Sequence, residues 1–356
     1  METSAETAAS PGVRMEEERA KLIVVKPEPF NAETPPEALA QAQTPTASFY
    51  VRSNHSEPEL PSATHRVAVE GAVEAPFTLE LAELARGPLR SLTVTLECAG
   101  NGRTSMSPLP EGEPWMQGAL GTAIWKGVPL AEVLTRVRLR PEVVEVLVEG
   151  ADGQGSKRFA RSLPVSKALH PDTLLALEMN GAPLTRAHGA PVRLIVPGWY
   201  GMASVKWVNR IEALTRPFEG YYQRERYVYD SRDGRAPEPV TRMRVKSQIS
   251  SPAEGERVAP GRVVVQGMAW SGERRVVQVE VAVDGGESWQ PATLLETPRP
   301  SAWVRWAFTW EDAAPGRHTL RARATDEAGE TQPELAPWNR LGYGNNAVQV
   351  RVVDVG

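Results

Sequence analysis

The chain has almost no cysteine. One residue, Cys98, among 356 excludes an intrachain disulfide, a four-cysteine zinc or iron–sulfur site and C-x-x-C-H haem attachment. Lysine is scarce too, with 7 against 33 arginines. Most of those arginines are therefore solvated surface, and each needs a local reason before it is given a role. No apolar run reaches the roughly 20 residues of a membrane span. A net charge of −4 supplies no basic field for nucleic acid or anionic lipid, and neither is expected as a partner. The N-terminal METSAETAASPGVRMEEERAK lacks the apolar stretch of a secretory signal and carries no twin arginine, so a cytoplasmic protein is expected.

What is present suits a two-domain globular chain. Apolar residues make up 41% and charged residues 24%, an ordinary balance, and the length allows two cores. Residues 1–46, rich in Ala, Glu, Pro and Thr, read as a flexible N-terminal tail. Residues 47–235 mix strands (65–73, 91–98, 143–153, 173–181, 190–198) with helices at 77–87 and 129–137. These elements do not alternate strictly, which argues for α+β. SRDGRAPEPVTR (231–242) reads as a linker. Residues 243–356 then hold short strand patterns separated by turns, with Asp284-Gly285-Gly286 as a hairpin turn and no helix signal. That pattern predicts an immunoglobulin-like β-sandwich.

Cys98 stands where the alternating strand SLTVTLEC gives way to Ala-Gly-Asn-Gly. Three roles fit a lone thiol there. It is a small buried hydrophobe, a nucleophile needing a histidine base, or one thiolate ligand to a soft metal held otherwise by a cofactor. None of the five histidines declares itself as a partner base. Small residues at 99, 100 and 102 leave space beside the backbone, and Arg103 adds permanent charge. The surroundings favour the third role.

LECAGNGR resembles the signature of the sulfite oxidase family of molybdenum enzymes. The likeness continues in order through RSNH (52–55), EGAD (149–152), EMNGAPLTRAHGAPVRLIVPG (178–198), SVKW (204–207), YQRERY (222–227), MAWSG (268–272) and VDGGESW (283–289). The resemblance implies a molybdopterin-binding catalytic domain over 47–235 and a dimerisation domain over 243–356. It makes Cys98 the protein's ligand to molybdenum, with the pterin dithiolene bringing the other sulfurs. Cofactor contacts are implied at Asn54, His55, Asp152, His188, Arg193, Ser204, Val205 and Lys206. His188 and Arg193 make chemical sense as a phosphate clamp.

Substrate roles are implied for Arg52 and Arg103 as anion-holding cations, Trp115 as pocket wall and Tyr227 as a hydroxyl facing the metal. Family members of animals and plants read Trp-Asn-Leu-Arg-Gly near the C-terminus, whereas this chain reads WNRLG (338–342). Arg340 is therefore displaced by one position, and a one-residue slip in extended chain turns a side chain to the other face. It is kept as a candidate pocket residue.

The implied reaction is oxidation of sulfite to sulfate by oxygen-atom transfer, with electrons passed to an external acceptor, a redox protein or dioxygen, and a homodimer as the assembly. No haem is expected, because the first 46 residues hold no histidine, and no flavin fingerprint is seen. Rival readings are a nitrate or sulfoxide reductase of the same superfamily, a thiol hydrolase, and a binding protein that keeps the fold without cofactor.

Overall fold

The computed structural model describes residues 21–230 and 236–356. Two five-stranded sheets build the first domain. One is antiparallel and runs 182–183, 174–179, 120–129, 90–97, with 193–195 also paired to 174–179. The other runs 77–80, 66–71, 208–214, 145–150, 160–164, and its one parallel pair joins 66–71 to 208–214. Helices are short. The eight-residue helix Leu130–Val137 buries Leu130, Val133, Leu134 and Val137, an i, i+3, i+4, i+7 stripe. Each of those side chains contributes about 1.5–3 kcal/mol of burial.

The second domain is a two-sheet sandwich, as its sequence predicts. One sheet orders 246–251, 261–270, 304–313 and 293–294; the other orders 257–258, 349–355, 316–326, 276–282 and 290–291. Between them lies a core of Val, Ala and aromatic side chains that includes Trp306 and Phe308. No helix among the described residues is long and apolar enough to cross a membrane.

Three expectations need correction. Residues 21–46 are not a loose tail: Ile23–Lys26 pairs with Asn31–Glu33, and Asn31, Ala32, Glu33, Thr34, Ala38, Leu39 and Thr44 are buried. The cause is long-range pairing; Thr34 N–H donates to Gly118 O and Thr44 N–H to Thr122 O, contacts that local composition does not announce. Residues 1–20 lie outside the described residues, as do 231–235 of the expected linker. Second, the helix expected over 77–87 is a strand, Phe77–Glu80, followed by one helical turn, Leu81–Leu84. Pairing of Phe77 opposite Val69 and Leu79 opposite Val67 overrides the helical spacing. Third, the helix expected over 129–137 begins at Leu130; Pro129 is its N-cap and also the last residue of the strand Leu120–Pro129.

Candidate active site

The strand Arg90–Glu97 ends one residue before Cys98, and a tight turn follows. Cys98 N–H donates to Ala119 O at 2.8 Å, and Asn101 N–H donates back to Cys98 O at 2.9 Å. The glycines of this turn serve Arg103. A Cβ at Gly100 would lie 2.2 Å from Arg103 Nη2, so only glycine lets the guanidinium fold back over the turn. Gly102 takes a left-handed φ of 80°.

Cys98 opens onto a cleft of about 610 Å³, part of it continuous with solvent. Arg52, Asn54, Asp152, His188, Arg193, Ser204, Lys206 and Tyr227 line it with Cys98. Nine of the fourteen residues singled out in the sequence therefore meet at one cavity. Two wall residues, Trp207 (φ 54°) and Tyr227 (φ 35°), hold left-handed backbones although neither is glycine; such strain is kept where a site needs a side chain aimed.

The charge in and beside this cleft is lopsided. Arg52 Nη2 donates to Asn54 Oδ1 at 2.8 Å, and its Nη1 reaches Asn31 Oδ1 at 3.2 Å and Ser53 O. Arg103 donates from Nε to Leu341 O at 3.0 Å and from Nη1 to Glu113 O. Arg193 donates to the Ser204 and His188 carbonyls, both at 3.2 Å. Lys206 Nζ donates to Ser53 Oγ at 2.7 Å and Ala187 O at 3.0 Å. Each of these hydrogen-bond acceptors is a neutral oxygen. None of the four cations forms an ion pair with a described carboxylate, although Arg103, Arg193 and Lys206 are buried. Buried charge is normally paired, so this arrangement asks for an anion from outside the chain.

The titration behaviour follows. Burial pushes the Cys98 thiol up, and Arg52 and Arg103 pull it back down. Burial lowers Lys206 to about 7, with Arg193 adding to the shift, and lowers Arg193 to about 10. His188 falls to about 3 by burial and by the Arg193 charge. Its Nε2–H donates to Thr46 O at 3.1 Å, so it stands neutral and adds no charge to that of Arg193. Asp152 is raised by burial, and its Oδ1 is buried without a hydrogen-bond partner.

Five candidates do not line the cleft. Trp115, 1% exposed, shares a core cluster with Cys98, and its carbonyl accepts Thr104 N–H, so it braces the Arg103 turn. Arg103, its guanidinium folded over Gly100, acts on Cys98 electrostatically. His55 Nε2 is 2.8 Å from Tyr222 Oη. Val205 is buried, its carbonyl taking Leu194 N–H at 2.8 Å. Arg340 corrects the expectation outright: its guanidinium pairs with Asp230 at 2.8 Å and Glu111 at 3.2 Å on the surface. The slip has turned it outward, and buried Leu341 follows it.

Sequence reasoning missed Tyr50, Phe159, Met202 and Trp207 in the wall. It also missed Tyr343, which stacks on Tyr227 at 5.3 Å and lies 5.4 Å from the Arg103 guanidinium carbon. Tyr343 stands three residues after Arg340, and attention to the whole WNRLGYGNN segment would have found it.

The residues suit a pterin-held metal. Among the described residues no cluster of three or more His, Cys, Asp or Glu side chains can hold a metal ion, so a metal at Cys98 must take most of its ligands from a cofactor. The cations that form no ion pair with a described carboxylate match a phosphate, and the orphaned Asp152 Oδ1 is an acceptor for a ring N–H.

Known proteins agree with this geometry. Residues 54–222 match the family described as "Oxidoreductase molybdopterin binding domain", and 238–354 match "Mo-co oxidoreductase dimerisation domain". Sulfite oxidase of Gallus gallus is 36% identical over 92% of this chain and 76% of its own length; that of Arabidopsis thaliana is 32% identical over 92% of each. Mitochondrial sulfite oxidase of Rattus norvegicus is 37% identical over 91% of this chain, which spans 64% of the rat protein's length. The crystal structure of the sulfane dehydrogenase SoxCD from Paracoccus pantotrophus superposes with a TM-score of 0.86 at 30% identity, covering 100% of this chain and 96% of that one. The chain thus carries a molybdopterin-binding domain and a Mo-co dimerisation domain, and it belongs to the sulfite oxidase family.

Proposed function

We propose that this chain oxidises sulfite to sulfate by molybdenum-dependent oxygen-atom transfer and hands the electrons to an external acceptor. The observation that carries the proposal is the set of cations around Cys98 that have no described carboxylate partner. Cys98 is the single protein ligand to the metal. Arg193 and Lys206 hold the pterin phosphate, with His188 and Ser204 beside them, and Asp152 takes a ring N–H. Asn54 completes that lining, while His55 and Val205 support the site from outside the cleft wall. When bound, the cofactor supplies the oxygen-atom transfer and the redox change.

The chain's own residues do the rest. Arg52 fixes the oxygens of an oxyanion next to Cys98 by charge-assisted hydrogen bonds, and Arg103, outside the cleft wall, adds its positive field. Asn54 Nδ2 donates to Tyr227 Oη at 3.1 Å and so aims that hydroxyl into the cleft, where its proton is available to a substrate oxygen. Stacked Tyr227 and Tyr343 and the braced Trp115 turn limit water around the anion. The dimerisation domain supports a homodimer.

The test is sulfite-dependent reduction of ferricyanide by purified protein, with molybdenum content measured in parallel. The proposal requires turnover that scales with molybdenum and vanishes in Cys98→Ser. Turnover equal in molybdenum-free protein overturns it. A second substrate class follows from the outward turn of Arg340: with Leu341 and Tyr343 in that segment, the pocket carries one cation fewer than a third arginine would give. A less charged reduced-sulfur compound, as the sulfane dehydrogenase likeness suggests, belongs in the same assay.

A further inference from the structure

Glu97 immediately precedes Cys98, and its side chain reaches the C-terminal sandwich. Oε1 accepts from Lys246 Nζ at 3.3 Å and from Asn101 Nδ2 at 3.0 Å; Oε2 accepts from Trp270 Nε1 at 2.9 Å. Glu97, Asn101, Lys246 and Trp270 are exposed by 2%, 1%, 3% and 0%. Lys246 and Trp270 stand opposite each other across the strand pair 246–251 and 261–270. Asn101 belongs to the Cys98 turn: besides its bond to Cys98 O, its Oδ1 accepts Ala119 N–H at 3.1 Å. One buried carboxylate thus ties both sides of the turn to two strands of the other domain. A carboxylate so deep is held only because every oxygen is satisfied, and that satisfaction fixes its position.

We propose that Glu97 is a positioning residue through which the sandwich sets the geometry of Cys98, so that the second domain takes part in the redox site as well as in assembly. The consequence for catalysis rests on Cys98 being the metal ligand; the positioning itself does not. A second bridge between the same domains offers the control. Glu273 accepts from Lys167 Nζ at 2.6 Å and from Trp199 Nε1 at 3.1 Å, and none of these hydrogen bonds is made to the 98–103 turn.

Because Cys98 is the sole thiol, the rate of its alkylation by iodoacetamide in the cofactor-free full chain reads local opening of this turn. Lys246→Met and the milder Trp270→Phe should each speed alkylation about ten- to a hundred-fold, the equivalent of a charge-assisted hydrogen bond. Glu273→Gln should leave the rate unchanged. In cofactor-loaded protein, Trp270→Phe should lower kcat at constant sulfite KM and shift the thiolate-to-molybdenum absorption. An unchanged alkylation rate in both sandwich variants, with cooperative unfolding retained, overturns the proposal, as does an equal rise in Glu273→Gln. Full sulfite oxidation by Cys98→Ser would sink the metal-ligand reading instead, and would leave the alkylation result standing.

Discussion

The surroundings of Cys98 and the surface of the sandwich treat cations in opposite ways. In the sandwich the cations find carboxylates: Arg323 meets Glu280 at 2.8 Å, Arg305 pairs with Glu296, and Arg274 meets Glu330 at 2.7 Å. Around Cys98, Arg52, Arg103, Arg193 and Lys206 hydrogen-bond carbonyls, an amide and a hydroxyl, with no ion pair to a described carboxylate. The first arrangement neutralises a surface and contributes little to stability. The second holds positive charge at a cost in desolvation, which is reasonable only where a ligand brings the compensating anion. Composition cannot separate the two uses, because one residue type serves both.

The sharpest challenge to that contrast is Cys98→Ser. It should abolish sulfite oxidation and lower the molybdenum content of purified protein, while the sandwich stays folded by circular dichroism. Next, Arg52→Gln should raise the sulfite KM by about one to two orders of magnitude, the worth of a hydrogen bond to a charged group, and Arg103→Gln, acting from outside the cleft wall, should raise it by less, as steady-state kinetics will read. An unchanged KM removes that arginine from anion binding.

Acid should also separate the domains. A histidine in the unfolded chain titrates near 6.5, whereas burial and Arg193 hold His188 at about 3. Between those values the unfolded chain takes up a proton that the folded chain refuses. Stability of the cofactor-free protein should therefore fall as pH drops through that window, and His188→Gln should flatten the fall. Thermal unfolding against pH checks this. Smallest is Arg323→Ala in the sandwich, which should change unfolding free energy by less than about 1 kcal/mol and leave the sulfite KM untouched.

Much of this architecture was legible in the sequence, and its failures have physical causes. The strand ending at Cys98, the helix Leu130–Val137 and the β-rich second domain all follow from periodicity. The central strand Leu120–Pro129 escaped because Gly121 and Gly127 mimic turn signals. Each is demanded by close approach: a Cβ on Gly127 would lie 2.1 Å from Leu175 O, and one on Gly121 would lie 2.7 Å from the Phe49 ring. Packing across strands, not local chain preference, chose glycine there. The site shows the same division. Residues embedded in recognisable motifs were found, while Tyr50 and Tyr343 were missed because only the tertiary fold brings Tyr50 into the cleft wall and Tyr343 onto Tyr227. Arg340 shows the converse, a residue type in nearly the right place that finds Asp230 and Glu111 instead. Whether a cation is paired is a long-range fact, and the four cations in and beside the cleft became informative only in three dimensions.

The measurement that tests the central claim most directly is the anaerobic visible spectrum of purified protein before and after sulfite. A thiolate-to-molybdenum absorption that bleaches on adding sulfite, and that is missing from Cys98→Ser, is the predicted result. Molybdenum-replete protein that shows no such absorption would contradict the account.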